Sequence, residues 1–444
     1  MKSARVLPVL LLLAAGFSQN STPTAAPRPD LPRKGYLGVS LHDPQPGKPG
    51  AEIRRVTPGT AAAQLGLKSG DRILSVNSTP LNDPIAIDRA WETLRAGDQV
   101  KLGVLRDGKE SALVVTVPPL PKEEIQDFDV IYGSVTADKG LRLRTILTRP
   151  RSATGRLPGI FLVGWLSCDS AEAPLGIQDG FARFIRNLIT QSGFVMMRMD
   201  KPGVGDSEGI CSDTDFLTEL AGYRAAFESF TRSQYVDPKK IVMLGMSNGG
   251  GVLPLVAGDY PVAGYVVSGG WVKTWLEHML EIERRRLTLS GKNPGEVSDQ
   301  MRGYEEFYDL YLNGVKTPGE VLREKPNLAP LWTEDGGHQY GRPAAFYQQL
   351  QDLNLAAAWQ KVNVPVLSVH GEYDWIMTGQ DHQMIAGIVN ANKPGFGKFV
   401  EIPKMDHGYN VYETPVAAFN GTGGRFSETV SPLVLEWLRQ TVKP

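Results

Sequence analysis

Long basic runs are missing from the sequence, membrane-length apolar runs are missing near its N-terminus, and it contains only two cysteines. Over 444 residues the formal net charge is −1, which argues against a nucleic acid partner. The N-terminal apolar stretch, residues 6–15, is shorter than the roughly 20 residues that span a bilayer. No metal-ligand cluster, phosphate loop or dinucleotide fingerprint stands out. We therefore expect neither a metal nor a cofactor.

The N-terminus has the features of a secretory signal peptide over residues 1–18. Lys2 and Arg5 precede the apolar stretch, and small residues follow it. The alternative is a short uncleaved membrane anchor. Residues 19–34 are rich in Pro, Thr and Ala, as in a flexible linker. We expect a periplasmic or extracellular protein with no membrane span after signal removal.

The two cysteines are Cys168 and Cys211. In an oxidising compartment a pair of cysteines predicts one disulfide, and two buried free thiols are the alternative.

A chain of this length predicts at least two domains. Residues 35–118 contain several short extended runs, a helix over about 84–94, and a hairpin of strands 99–106 and 109–117 joined by Asp107-Gly108. Residues 127–444 alternate strands and helices, which predicts a mostly parallel sheet.

A strand over residues 241–244 runs into Gly245-Met246-Ser247-Asn248-Gly249, and an apolar helix follows. A Gly-x-Ser-x-Gly motif between a strand and a helix predicts a nucleophile elbow, with Ser247 on a tight, strained turn. The helix after it directs free N–H groups toward the site.

The first domain resembles a bacterial PDZ domain. The resemblance is carried by Tyr36-Leu37-Gly38-Val39 and by the stretch Gly66-Leu67 to Gly70-Asp71-Arg72-Ile73, and it covers about eighty residues. Such domains bind an extended peptide, often a C-terminus, by strand addition. The resemblance implies that N–H groups of Leu37, Gly38 and Val39 hold a peptide carboxylate. The alternative is a packing module with an empty groove.

The second domain resembles the α/β-hydrolase family, through Val163-Gly164-Trp165, the stretch from Asp200 to Ser207, the elbow and two later loops. Many relatives carry His-Gly where this chain has Val163-Gly164. The fold class we predict is α/β: an α/β-hydrolase fold with a helical cap insertion at about 271–361, preceded by a small β-rich PDZ domain. Within the insertion, residues 271–286 and 294–312 are predicted to form amphipathic helices.

The family order of serine, acid and histidine implies a catalytic set of Ser247, Asp374 and His407. Asp374 follows the strand 364–371, and His407 lies in a loop past the strand 398–402. The rival acids are Asp381, which is expected to cap a helix, and Asp406, which adjoins the histidine. Of the other histidines, His370 is expected to be structural, and His338 is a candidate for lining the substrate pocket. The remaining three are expected at the surface: His42, His278 and His382.

The resemblance implies an oxyanion hole formed by the backbone N–H groups of Trp165 and Asn248. Six aromatic residues of the cap are candidates for an acyl or aryl site: Trp271, Trp275, Tyr304, Phe307, Tyr308 and Trp332.

These features predict a secreted serine hydrolase that cleaves carboxylic esters through an acyl-enzyme, with the PDZ module binding a peptide or protein C-terminus. A serine peptidase that uses the PDZ domain to present peptides is the first alternative. A non-catalytic binding protein on a hydrolase scaffold is the second.

Overall fold

The computed structural model describes residues 30–42, 44–45, 47–172 and 179–442. The predicted signal peptide and most of the predicted linker lie outside the described residues. From Leu31 onward the described residues pack as one unit. Within the described ranges, no helix has both the length and the apolar character needed to cross a membrane.

The first domain is built on a six-stranded sheet with the order β1-β2-β3-β5-β6, in which β4 pairs with β3. Strand β1 therefore lies at an edge. Apolar side chains of the sheet and of two helices form a core of their own. The elements are β1 Val39–Leu41, β2 Ala51–Val56, α1 Ala61–Gln64, β3 Arg72–Val76, β4 Thr79–Pro80, α2 Pro84–Glu92, β5 Gln99–Arg106 and β6 Lys109–Thr116.

The second domain begins with an antiparallel pair and continues with parallel strands that alternate with helices. Helices α3 and α4 start at aspartate N-caps, Asp179 and Asp215, whose carboxylates accept backbone N–H groups. These elements are β7 Phe128–Thr136, β8 Arg142–Pro150, β9 Leu157–Val163, α3 Gly180–Ser192, β10 Val195–Met199, α4 Phe216–Thr231, β11 Val236–Met246, α5 Asn248–Ala257 and β12 Gly264–Ser268.

A helical cap is inserted after β12. Its first helix begins at Trp275, not at Trp271 as the sequence predicts, because Thr274 and Glu277 form a capping box. A π-helical turn, Asp309–Asn313, extends the second helix. The cap elements are α6 Trp275–Leu289, α7 Pro294–Tyr308, α8 Pro318–Glu324, β13 His338–Gln339, β14 Arg342–Pro343, α9 Ala344–Gln351 and α10 Leu355–Gln360.

The chain then completes the large sheet, whose order is β16-β15-β12-β11-β9-β10-β8-β7. Strand β11, which leads to Ser247, is parallel to both of its neighbours, β9 and β12. Apolar cores lie on both faces of the sheet, and the larger one continues into the cap. The final elements are β15 Val366–Gly371, α11 Gly379–Asn392, β16 Gly397–Ile402, β17 Asn410–Val411, α12 Pro415–Phe419, β18 Arg425–Phe426 and α13 Val430–Thr441.

Candidate active site

Ser247 lies on the turn between β11 and α5 with φ 55° and ψ −129°. A non-glycine residue in this region of φ is strained, which is typical of functional turns. The flanking glycines permit the turn. A Cβ at Gly245 would lie 2.6 Å from the Cα of Gly250, and a Cβ at Gly249 would collide with the carbonyl oxygen of Val163. Only glycine allows β11, α5 and β9 to approach this closely.

Three side chains meet at this turn in one hydrogen-bonded chain. His407 Nε2 lies 2.9 Å from Ser247 Oγ, and His407 Nδ1 lies 2.7 Å from Asp374 Oδ2. The other carboxylate oxygen of Asp374 accepts the N–H groups of Ile376 at 2.9 Å and Met377 at 2.8 Å. The carboxylate is thus held on both oxygens, and it orients the imidazole toward Ser247.

The electrostatics of these three hydrogen-bonded side chains favour an ionised Asp374 beside a more basic His407. Burial alone would raise the pKa of Asp374, but the charge and hydrogen bond of His407 outweigh it and lower that pKa to about 2. Burial lowers the pKa of His407, the Asp374 carboxylate raises it, and the net shift is upward. A histidine with a raised pKa is a stronger base for the serine proton.

Two backbone N–H groups beside Ser247 are available to a ligand. Within the described residues, the N–H groups of Trp165 and Asn248 donate to no protein acceptor, and both residues line the cavity at Ser247. The N–H of Gly164 is already used, since it donates to the hydroxyl of Tyr223 at 3.1 Å. Asn248 is the first residue of α5, so its N–H lies at the positive end of the helix dipole.

A buried lysine holds the loop that carries Trp165. The ammonium of Lys201 donates to the carbonyl oxygens of Trp165 at 2.7 Å and Leu166 at 3.3 Å, and also to that of Ser167. Lys201 is only 3% exposed, and burial lowers its pKa to about 8. Sequence reasoning missed this residue, because a lysine after a strand carries no local signal for such contacts.

Ser247 opens into a cavity of about 270 Å³ with mostly aromatic and aliphatic walls. Helix α6 contributes three residues from one face, at spacings of three and four. No carboxylate, ammonium or guanidinium group belongs to the described lining. The lining residues are Trp165, Leu166, Ser167, Phe181, Ser247, Asn248, Trp275, His278, Ile282, Tyr340, Trp375, Ile376, Met377 and His407.

The rival acids lie elsewhere. The carboxylate of Asp381 accepts the N–H groups of Val272 at 3.0 Å and Lys273 at 3.2 Å, so it anchors the start of the cap. Asp406 accepts the N–H of Asn410 at 2.7 Å. In the described contacts, neither acid is hydrogen-bonded to His407.

Two histidines occupy structural positions. His370 is 5% exposed, and its Nδ1 lies 3.0 Å from Glu401. The surface position predicted for His382 is wrong, since it is fully buried and accepts the N–H of Gly270 at 2.9 Å.

The structure differs from the sequence-based interpretation at two cap histidines. His338 lies outside the cavity at Ser247: its Nδ1 is 2.9 Å from Asp335, and its Nε2 is 3.2 Å from the carbonyl oxygen of Ser212. His278, predicted at the surface, is 1% exposed and lines the cavity. Burial lowers the pKa of His278 to about 4, so it is neutral at pH 7. Its spacing from Trp275 on one helix face was the signal that could have placed it there.

Of the six aromatic candidates of the cap, one lines the cavity at Ser247 and five do not. Trp275 lines the cavity, whereas Trp271 is fully buried beside it and donates its indole N–H to the side chain of Asn248 at 3.1 Å. The other four pack within the cap: Tyr304, Phe307, Tyr308 and Trp332.

Cys168 and Cys211 are joined by a disulfide, which closes a loop with a sequence separation of 43. This bridge ties the segment after Trp165 to the segment before α4. Residues Leu37, Gly38 and Val39 of the PDZ loop line a separate cavity of about 300 Å³.

Comparison with known proteins identifies both domains. A family model described as PDZ domain matches residues 35–117, and one described as serine aminopeptidase, S33, matches residues 179–394. The periplasmic serine endoprotease DegP of Escherichia coli (strain K12) is 28% identical over 108 residues. That alignment covers 24% of this chain and 23% of DegP.

Solved α/β-hydrolase structures are similar at low identity. Est1E from Butyrivibrio proteoclasticus, with ferulic acid bound, has a TM-score of 0.45 and 17% identity over 71% of this chain and 100% of that one. An esterase of Pyrococcus furiosus has a TM-score of 0.42 and 12% identity over 72% and 97%. The family match places the second domain in the serine hydrolase class. The second domain, which has an α/β-hydrolase fold, thus contains the match to the serine aminopeptidase, S33, family model, and the first domain is a PDZ domain.

Proposed function

We propose that this protein is an exported enzyme that hydrolyses carboxylic esters with a neutral, bulky apolar acyl group. The observation that carries the proposal is the hydrogen-bonded chain Ser247–His407–Asp374 at the mouth of an aromatic cavity. His407 takes the proton of Ser247 while Oγ attacks the acyl carbon. The N–H groups of Trp165 and Asn248 stabilise the oxyanion, a contribution of about 3 kcal/mol. The acyl-enzyme is then hydrolysed by water.

The walls of the cavity support an ester of this kind. An aminopeptidase that recognises a free N-terminal amine needs a carboxylate near its pocket, and none belongs to the described lining. Aromatic and aliphatic walls favour uncharged acyl groups through burial of apolar surface. Neutral His278 adds a hydrogen-bonding group without adding charge.

Two observations support export. Cysteines form disulfides in oxidising compartments, and Cys168 and Cys211 are bonded. The relative DegP is described as periplasmic. The proposed signal peptide, residues 1–18, agrees with both.

A serine peptidase that acts on peptides bound by the PDZ domain is the second candidate. It is favoured by one observation: residues of both domains, including Gly38 and Ser170, line the same cavity at the PDZ loop. A non-catalytic scaffold is the third candidate, and it is argued against by the aligned Ser247, His407 and Asp374.

The deciding experiment compares p-nitrophenyl esters of several acyl lengths with aminoacyl and peptidyl anilides carrying the same reporter. We expect turnover of the esters, a preference for bulky acyl groups, and loss of activity in Ser247→Ala with the fold intact by circular dichroism. Turnover of the anilides at equal or higher kcat/KM would favour the peptidase. Activity retained in a folded Ser247→Ala variant would refute the assignment of the nucleophile.

A further inference from the structure

The cavity at Ser247 has one wall on which hydrogen-bonding groups are left unpaired. Helix α6 contributes His278 to this wall, and the residue is only 1% exposed. Among the described residues, Nδ1 of His278 is fully buried and has no hydrogen-bond partner. Nε2 has no protein partner in the described contacts either, and it is the ring nitrogen that is accessible from the cavity. The protein therefore leaves both nitrogens of this imidazole unpaired.

Trp275, three residues earlier on α6, adds a second unpaired group to the same wall. Its indole N–H is buried and has no acceptor in the part of the chain that the structure describes. The centroids of the Trp275 and His278 rings are 4.8 Å apart. Trp271 packs against both rings, but its indole N–H is paired with the side chain of Asn248 at 3.1 Å. The unpaired groups are thus confined to the two residues that line the cavity.

His382 shows what a buried structural histidine does in this protein. It is fully buried, and burial lowers its pKa to about 4, as it does for His278. Its Nε2 accepts the N–H of Gly270 at 2.9 Å, and its Nδ1 lies 2.8 Å from the carbonyl oxygen of Thr378. An unpaired buried polar group destabilises a fold, so its presence in a wall of the catalytic cavity indicates a partner that arrives with the substrate.

The absence of charge in the wall defines the chemistry of that partner. No carboxylate, ammonium or guanidinium group belongs to the described lining, and His278 is neutral at pH 7. A charged partner would lose its hydration without gaining an opposite charge. A hydroxyl group can either donate to or accept from a neutral imidazole nitrogen, whichever tautomer is present. The aromatic side chains around it favour an aryl ring as the carrier of the hydroxyl group.

We infer that His278 determines the acyl specificity of the enzyme and that its preferred substrates are esters of hydroxyaryl acids, an inference that rests on the proposed esterase function. The aryl ring packs among the aromatic side chains of the cavity, and its hydroxyl group forms a hydrogen bond with Nε2 of His278. A volume of about 270 Å³ is near the small end of the range for ligand sites, which fits an acyl group with one ring. The proton transfers remain with Ser247 and His407.

The test uses the full-length protein and matched pairs of p-nitrophenyl esters. Each pair carries a hydroxyl or a methyl group at the same ring position, meta or para, of an arylacetic or 3-arylpropanoic acid. The two groups are similar in size, and the methylene groups separate them electronically from the ester carbonyl. A wholly apolar cavity would prefer the methyl ester. At one ring position or more, we expect kcat/KM to be at least about tenfold higher for the hydroxyl ester.

Three variants assign this preference to His278. His278→Phe keeps an aromatic ring and removes both nitrogens, so it should reverse the preference in favour of the methyl ester. His278→Gln keeps a donor and an acceptor at the end of the side chain, so it should retain a preference for the hydroxyl ester. His338→Gln changes a cap histidine outside the described lining and should leave the ratio as in the unmodified enzyme.

Stability provides a second readout, which a structural role of His278 would change in the opposite direction. His278→Phe should have an equal or higher midpoint of urea denaturation, because it removes an unpaired buried polar group. His382→Phe should have a lower midpoint, because it leaves the N–H of Gly270 without its acceptor. A similar loss of stability in both variants would show that His278 is structural and would overturn the inference.

The kinetic outcomes separate the inference from the function on which it rests. Equal kcat/KM for the hydroxyl and methyl esters at every ring position, with the esters still hydrolysed, would overturn the role of His278 and leave the esterase standing. A hydroxyl preference that persists in His278→Phe would do the same. Failure of the folded protein to hydrolyse any of the p-nitrophenyl esters would refute the esterase itself.

Discussion

At the scale of single residues, the buried carboxylate of Asp374 controls the protonation of His407. It is 6% exposed and accepts two backbone N–H groups besides the imidazole contact. Its ionised form is therefore stabilised throughout the neutral range. The neighbouring charge stabilises the imidazolium and raises the pKa of His407.

Asp374→Asn should lower kcat by on the order of 10⁴-fold, because the amide cannot stabilise the imidazolium or hold the required tautomer. His407 works as a base only when it is neutral, so activity rises as pH rises through its pKa. This rise is the acidic limb of the pH profile. In the unmodified enzyme we expect its midpoint at a pH above the ordinary histidine pKa of about 6.5. In Asp374→Asn the limb should move to lower pH.

The measurement is the pH dependence of kcat/KM with a p-nitrophenyl ester. Asp406→Asn serves as the comparison: Asp406 makes no hydrogen bond to the ring in the described contacts, and its charge raises the pKa of His407 less than Asp374 does, so the limb should move less. A limb that is unchanged in Asp374→Asn, or that moves only in Asp406→Asn, would show that another acid supports His407.

The position of a side chain can be predicted from the sequence where a motif fixes the local backbone. It cannot be predicted where the position depends on which surface the side chain is buried against. The strand, the glycines and the helix around Ser247 are sufficient to place it on a turn. His278 lies on an amphipathic helix and His338 follows Gly336-Gly337, and the packing of α6 over the cavity at Ser247 decides which of the two faces the site. The direction in which a cap helix faces is a tertiary property that local sequence does not contain.

At the scale of elements, the loop after β9 depends on Lys201. Three consecutive carbonyl oxygens of this loop accept hydrogen bonds from one ammonium group. The contacts fix the three peptide planes that follow Trp165 and so restrict the movement of the residue whose N–H faces the site. The disulfide holds the same loop one residue further on, at Cys168.

Lys201→Met should lower kcat by about 10²-fold with little change in KM, because displacement of a catalytic group by about 1 Å has an effect of this size. The unmodified enzyme should lose activity as pH rises through about 8, where the ammonium loses a proton and one donor. Lys201→Met should lack that alkaline limb. Steady-state kinetics from pH 6 to 10 measure both effects.

Lys239→Met is the matched control, since Lys239 is exposed. An equal loss of kcat in both variants, or an alkaline limb that persists in Lys201→Met, would rule out a positioning role for Lys201.

Element boundaries are predictable where capping residues and turns mark them. The hairpin of β5 and β6 turns at Asp107-Gly108 as predicted, and both residues have positive φ. The predicted start of α6 is wrong by four residues, although Thr274 and Glu277 have capping-box spacing. The aromatic residues Trp271 and Trp275 continue a helical pattern across that cap, so periodicity alone extends the helix too far.

At the scale of the whole molecule, buried ion pairs join the segment before the PDZ domain to the hydrolase. Arg33 donates to Glu172 at 2.6 Å and to Asp206 at 3.0 Å, and both carboxylates are almost fully buried. Arg144 also pairs with Asp206, at 3.1 Å. No sequence pattern predicts these contacts, because each partner lies more than a hundred residues from Arg33 along the chain.

Arg33→Ala should lower the free energy of unfolding by on the order of 3 kcal/mol, because it leaves the Glu172 and Asp206 charges buried without that partner. Urea denaturation followed by tryptophan fluorescence measures the change. Arg151→Ala removes an exposed pair with Asp129 and should change stability by less than about 1 kcal/mol. If Arg33→Ala and Arg151→Ala shifted the midpoint of urea denaturation equally, the buried ion pairs of Arg33 would have no special stabilising role.

Covalent labelling is the most sensitive test of whether Ser247 is an activated nucleophile. The folded protein is treated with a fluorophosphonate probe, and the adduct is mapped by mass spectrometry. We predict a single adduct on Ser247 in the unmodified protein, none in Ser247→Ala, and much slower labelling in His407→Ala, since the base is then missing. A folded protein that stays unlabelled, or carries its adduct on another residue, would show that Ser247 is not the activated nucleophile.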